Sequence, residues 1–161
     1  MNKIVLAIAT TGILFTGCAR YTYNTTHPTT QLKHTKEINA TIDVDRNRRG
    51  LILTIHNNTD EDLELNWNKT VFIEDGKTAG KFMFNGVVFS KRNETKANDI
   101  IFAGGNFEKN IYPNSKVYLI KGWGHSIIGY GVVGASLYIE SESGNFREKV
   151  LVDRERTEIK E

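Results

Sequence analysis

Between residues 37 and 152, apolar side chains recur at the strand period in a series of short runs, and no segment carries the stripe of a long amphipathic helix. Ile38, Ala40, Ile42 and Val44 alternate with polar neighbours, and Leu51, Leu53 and Ile55 repeat the pattern after the turn Asn47-Arg48-Arg49-Gly50. Successive residues of a strand face opposite sides, so such alternation buries one face and leaves the other in water. Two runs of this kind joined by a turn predict a paired antiparallel hairpin. Further strand runs are read at Leu63 to Trp67, Val71 to Ile73, Lys81 to Phe84, Val87 to Ser90, Ile100 to Phe102, Val117 to Ile120, Ala135 to Glu140 and Phe146 to Val152. Turn formers separate them: Asn57-Asn58-Thr59-Asp60, Asp75-Gly76, Asn85-Gly86, Gly104-Gly105-Asn106, Pro113-Asn114 and Ser143-Gly144-Asn145. Many short strands with turn signals about every 8 to 12 residues predict an all-β sandwich or barrel.

Trp67 closes the run Leu63-Glu64-Leu65-Asn66-Trp67 and shares a face with Leu63 and Leu65, which makes it a structural core residue by alternation. A tryptophan in an early central strand resembles the buried one of immunoglobulin-like sandwiches, although the flanking inter-sheet cysteines are missing. A wider set, Asn57-Asn58-Thr59, Leu65-Asn66-Trp67-Asn68-Lys69, Phe72, Asp75-Gly76-Lys77, Gly86-Val87-Val88-Phe89 and Ile111-Tyr112-Pro113, resembles a group of small bacterial lipoproteins of uncharacterised function. The resemblance implies an immunoglobulin-like antiparallel β-sandwich and a membrane anchor. It carries over no catalytic residue.

The N-terminus reads independently. A charged start, Met1-Asn2-Lys3, precedes an apolar run from Ile4 to Phe15 and the junction Gly17-Cys18, the layout of a secretory signal. Spanning a bilayer takes about 17 to 25 apolar residues, and this run is shorter and interrupted by Thr10 and Thr11. It is similar to bacterial lipoprotein signals, with Phe15 where that family usually has leucine. That resemblance implies cleavage before Cys18, a diacylglycerol on the Cys18 sulfur and an N-acyl lipid on the new amino group, which together hold a protein at a membrane far better than one chain. Ala19, in place of an inner-membrane-retaining aspartate, implies the outer membrane and leaves open whether the protein faces the periplasm or the cell surface. Cys18 is the only cysteine, so no intramolecular disulfide is expected, and no cofactor beyond the covalent lipid. From Arg20 to Lys36 the chain is rich in Thr, Asn, His and Tyr, with Pro28 in the middle, and suits a flexible tether. The predicted organisation is a signal peptide over 1–17, a lipidated tether over 18–36 and a β-sandwich over 37–161.

With 21 basic and 19 acidic residues interspersed, the net charge is +2, or +1 once Lys3 leaves with the signal (21 − 1 − 19). A nucleic-acid partner would need a basic stripe that is absent. Candidate chemistries fall away one by one. Gly129-Tyr130-Gly131-Val132-Val133-Gly134 matches a phosphate-binding G-x-G-x-x-G, but its continuation, Ala135 to Glu140, alternates like a strand where the motif needs a helix. In that glycine-rich segment, bulges or close backbone approach are the commoner use. Gly124-His125-Ser126 opens like a nucleophile elbow, yet position 128 is Ile where the motif requires Gly. His27, His34, His56 and His125 are scattered without zinc-ligand spacing, and Asp60-Glu61-Asp62 reads as a solvated acidic turn. Glu37-Ile38-Asn39-Ala40-Thr41 fits an extended bacterial glycosylation acceptor at Asn39, a short match of a kind that often arises by chance.

What remains is a contact surface. Trp123, Ile127, Ile128 and Tyr130 are either exposed for a partner or cap one end of the core. The sequence thus predicts no enzyme and no metal site, but a membrane-anchored envelope lipoprotein acting as a non-catalytic binding module, with an envelope protein as partner and edge-strand addition as the favoured mode. The alternative is a structural outer-membrane subunit of a secretion or envelope-spanning complex.

Overall fold

The computed structural model describes residues 20–26, 32–119, 123–126 and 128–159. Its strands are β1 (Arg20–Thr26), β2 (Ile38–Val44), β3 (Leu51–Asn57), β4 (Leu63–Leu65), β5 (Val71–Glu74), β6 (Lys77–Thr78) and β7 (Phe82–Met83). They continue as β8 (Asp99–Ile101), β9 (Asn106–Pro113), β10 (Val117–Leu119), β11 (Trp123–His125), β12 (Gly131–Ser141) and β13 (Gly144–Ile159). Two antiparallel sheets dominate. One has the order β1-β13-β12-β4-β8, with β5 also paired to β12 and β6 to β5; the other has the order β2-β3-β9-β7, and β10 and β11 form a separate hairpin.

Alternation becomes register as the sequence predicts for β2 and β3. Ala40 lies opposite Ile55 and Ile42 opposite Leu53, and their inward faces are buried. Leu63, Leu65, Leu137, Ile139, Val150 and Val152 face them from the first sheet and complete one continuous core. At its centre, Phe72, Phe82 and Trp67 meet edge to face, with ring centroids 5.9 and 6.3 Å apart, and Phe84 covers Trp67 at 4.6 Å. Each fully buried side chain of this size contributes about 1.5 to 3 kcal/mol. Asn57 is polar yet completely buried. Its Nδ2 donates to the carbonyls of Glu61, Ile101 and Phe102, and its Oδ1 accepts from the Thr59 amide, so the end of β3 is locked to both β8 and the following turn.

Three expectations change. Residues 20–26 and 32–36, read as tether, belong to the fold: β1 pairs with the far end of β13, from Arg20 opposite Ile159 to Thr26 opposite Asp153. A ladder of backbone hydrogen bonds needs no apolar alternation, which is why the polar run concealed it. Leu32 packs on the core, and the amides of Lys33 and His34 both donate to Glu148. Second, β9 is a strand that apolar alternation does not mark, because Lys109 takes an inward position between Phe107 and Ile111. Third, Val87 to Ser90 is not a strand. Among the described residues no strand pairs with it; Val88 is exposed and Phe89–Lys91 forms a 3₁₀ turn.

Candidate functional site

Two features of the β4–β8 end distinguish it from the rest of the surface. The first is a strap. It begins just after β7, where Gly86 takes a φ of 86°, and runs through residues 85–98, with one 3₁₀ turn, to the start of β8. Side chains from the body tie the strap down. Asn68 and the backbone of Lys96 exchange two hydrogen bonds, 2.8 and 2.9 Å; Asn114 donates to the Arg92 carbonyl, and Asn98 donates to Glu64. Beneath lies a cleft of about 550 Å³ whose lining includes Phe84, Val87, Val88, Lys96, Asp99 and Lys109.

The floor of the cleft is a shared carboxylate. Oδ2 of Asp99 accepts from the Trp67 indole Nε1–H at 2.7 Å and from the Lys109 ammonium at 2.5 Å, and that ammonium lies 4.3 Å from the Phe84 ring centroid. Asp99 is placed by its register opposite Leu65, and Lys109 by its register opposite Leu53, so both project inward from their strands. A charge-assisted pair against aromatic faces fixes Trp67 in one orientation. Lys96 differs. Its ammonium donates to two carbonyls, of Arg92 at 2.9 Å and of Glu94 at 3.2 Å, and burial, then repulsion from Lys81, pulls it below the usual lysine range.

The second feature is the open edge of β8. This strand ends the first sheet, and among the described residues no strand pairs its outer side. Ile101 is buried, while Ile100 and the following Phe102 stand 57% and 69% exposed on the outward face. In the register, Ile100 lies opposite Glu64, and Glu64 opposite Glu140, so an acidic row runs beside the apolar pair over a groove of about 370 Å³.

No protein-family model and no curated protein matches this chain. The reading of the site therefore rests on geometry.

The residues singled out in the sequence scatter. Trp67 is 1% exposed, within the core and bonded to Asp99. Ile128 is completely buried, its backbone N–H donating a hydrogen bond to the Arg48 carbonyl, and so does not belong to an exposed contact surface. Tyr130 is 41% exposed, accepts from Arg48 at 3.1 Å and lies under the guanidinium groups of Arg154 and Arg156. Arg154, itself buried, donates to the carbonyls of Ile128 and Gly129 and pins this loop to β13. Cys18, Ile127 and the side chain of Trp123, although Trp123 belongs to β11, lie outside the described residues.

Other candidates resolve into structure. The glycine-rich run enters β12 directly, and a Cβ on Gly134 would lie 2.1 Å from the Val150 carbonyl, so the glycine serves close strand approach. The carboxylates of Asp60-Glu61-Asp62 diverge: Glu61 accepts from Ser143 and Asp62 from the Ala103 amide. Asn39 is exposed on β2 and donates to Asn58. Sequence reasoning missed Lys96, Asp99 and Lys109 because each is an ordinary polar residue until the strap and two strands bring them together. The one available signal was Lys109, a charge in the apolar phase of Phe107 and Ile111.

Proposed function

We propose that this chain is an outer-membrane lipoprotein, anchored through diacylglycerol and an N-acyl chain on Cys18, whose immunoglobulin-like sandwich acts as a non-catalytic binding module for an envelope protein. The observation that carries the binding reading is the open β8 edge with Ile100 and Phe102 exposed side by side. Soluble domains usually blunt such edges with charge, proline or a covering loop, because unpaired backbone groups beside apolar side chains recruit another strand. The occupant that fits is an extended segment of the partner. Its backbone adds to β8, and the side chains on its outward face share the groove, apolar ones covering Ile100 and Phe102 and a long cationic one reaching toward Glu64, which lies opposite Ile100 on that face. Membrane anchoring raises the effective concentration of such a contact, so modest affinity suffices. The immunoglobulin-like assignment draws on the resemblance in the sequence and on Trp67, buried between the sheets in both.

A photoreactive side chain at Ile100 in intact cells tests the reading. The expected result is capture of one discrete envelope protein, lost in Phe102→Glu, with slowed amide exchange along β8 when that protein is added to the purified domain. Capture that is indifferent to Phe102→Glu, or β8 amides that exchange unchanged, would remove the edge as the binding site.

A further inference from the structure

The strap cleft is a second site, independent of the β8 edge and facing the core side of the sheet. Its volume, about 550 Å³, lies within the range of pockets that hold small organic ligands. Phe84, Val87, Val88 and Ala97 offer apolar wall on one side. The charges that line it are Lys91, Lys96 and Lys109 against Glu94 and Asp99, an excess of one cation. Two of the cations have carboxylates of their own: Lys109 shares Asp99 with Trp67, and Lys91 faces Glu94 at 3.9 Å. Lys96 is the remaining one. Among the described residues no carboxylate lies within salt-bridge distance of its ammonium, which spends two of its three N–H donors on carbonyls and keeps the third.

We propose that the cleft binds a small anionic amphiphile, its carboxylate or phosphate-monoester head held by Lys96 and its apolar body laid between Phe84 and Val87. Glu94 attracts the Lys96 ammonium only from beyond salt-bridge distance, so an anion in the cleft supplies a counter-charge in direct contact and forms a charge-assisted hydrogen bond with the remaining N–H. Burial and Lys81 disfavour the Lys96 charge, Glu94 partly opposes them, and an anion bound beside the ammonium would favour that charge further. Apolar wall without the cation would take neutral ligands equally well, so the head group is where selectivity lies.

Decanoate, decanol and decylammonium, titrated calorimetrically into the purified domain, test the proposal. Decanoate is expected to bind, decanol more weakly by about tenfold, and decylammonium not at all. Lys96→Met should reduce decanoate affinity by about tenfold while leaving decanol unchanged, and Lys96→Arg should keep most of the affinity. Ala97→Trp, which fills the cleft from its exposed side and leaves Lys96 in place, should abolish binding of both and serves should Lys96→Met fail to fold. Equal affinity for decanoate and decanol, or decanoate affinity untouched by Lys96→Met or Ala97→Trp, would overturn the site. Failure here would leave the β8 reading intact, because none of these variants alters Ile100 or Phe102.

Discussion

One carboxylate oxygen of Glu148 receives three hydrogen bonds from residues 33 and 34: the amides of Lys33 and His34 at 3.0 and 2.9 Å, and His34 Nδ1 at 2.9 Å. Glu148 is 2% exposed and sits on β13 among the inward-facing positions continued by Val150 and Val152. A buried carboxylate is costly unless its acceptors are used, and here the segment ahead of β2 uses them. The His34 ring also stacks on Phe146 at 4.5 Å. This latch, joining positions 114 apart in sequence, makes residues 32–37 part of the domain.

Removing the latch should therefore cost stability. Glu148→Ala is expected to lose about 2 to 3 kcal/mol in urea unfolding, through two amides left without their acceptor, and Glu148→Gln about 1 kcal/mol. A chain trimmed to start at residue 37 should be less stable than one trimmed to start at residue 32. Equal midpoints for the two trimmed chains would show that the segment adds nothing.

Gly134 makes a sharper prediction. Because a Cβ there would lie 2.1 Å from the Val150 carbonyl and 2.8 Å from the Leu151 Cα, Gly134→Ala forces β12 away from β13. A loss of at least about 3 kcal/mol is expected, far above the usual effect of a single added methyl. A change of under about 1 kcal/mol by thermal or urea unfolding would mean that the strands separate freely at this point.

The pH dependence of stability should carry two opposite signs. Hydrogen bonding from Lys69 holds Glu140 below the usual glutamate range, and the same bond raises Lys69. The pair's contribution is fully present between the ordinary glutamate and lysine values; it disappears as pH falls through the lowered Glu140 value or rises through the raised Lys69 value. Being exposed, the pair should also weaken with salt. Lys96 runs the other way. Since the unfolded chain holds its lysine proton more tightly than the folded one, stability should rise with pH between the lowered Lys96 value and the ordinary lysine value. Lys96→Met should remove that rise. Urea midpoints across pH for wild type, Glu140→Gln and Lys96→Met separate the contributions.

The proposed anchor is tested at Cys18. Cys18→Ser is expected to shift the protein from the membrane to the soluble fraction, or to leave it as an unprocessed precursor, and to abolish labelling by a clickable palmitate analogue. Persistent labelling in Cys18→Ser would remove the lipid attachment from this residue.

Strand identity was legible where a strand's inward positions are all apolar, and was lost in β9, where Lys109 interrupts them. Ile38 to Val44 and Leu51 to Ile55 declare themselves because core burial selects alternate positions, and the turn at Asp75-Gly76 shows because its positive φ, 49° and 76°, favours those residue types. β1 was not legible, since its polar residues add to the sheet through backbone groups that every sequence possesses. Nor was the face of β8 that meets water: the run Ile100 to Phe102 specifies alternation, but only the sheet order, which leaves β8 at an edge, decides that Ile100 and Phe102 stay uncovered. The cleft is entirely tertiary. Lys96, Asp99 and Lys109 acquire their chemistry from a strap tied down by Asn68 and from registers set by Leu65 and Leu53, and no spacing along the chain encodes a distance between side chains that separate strands bring together.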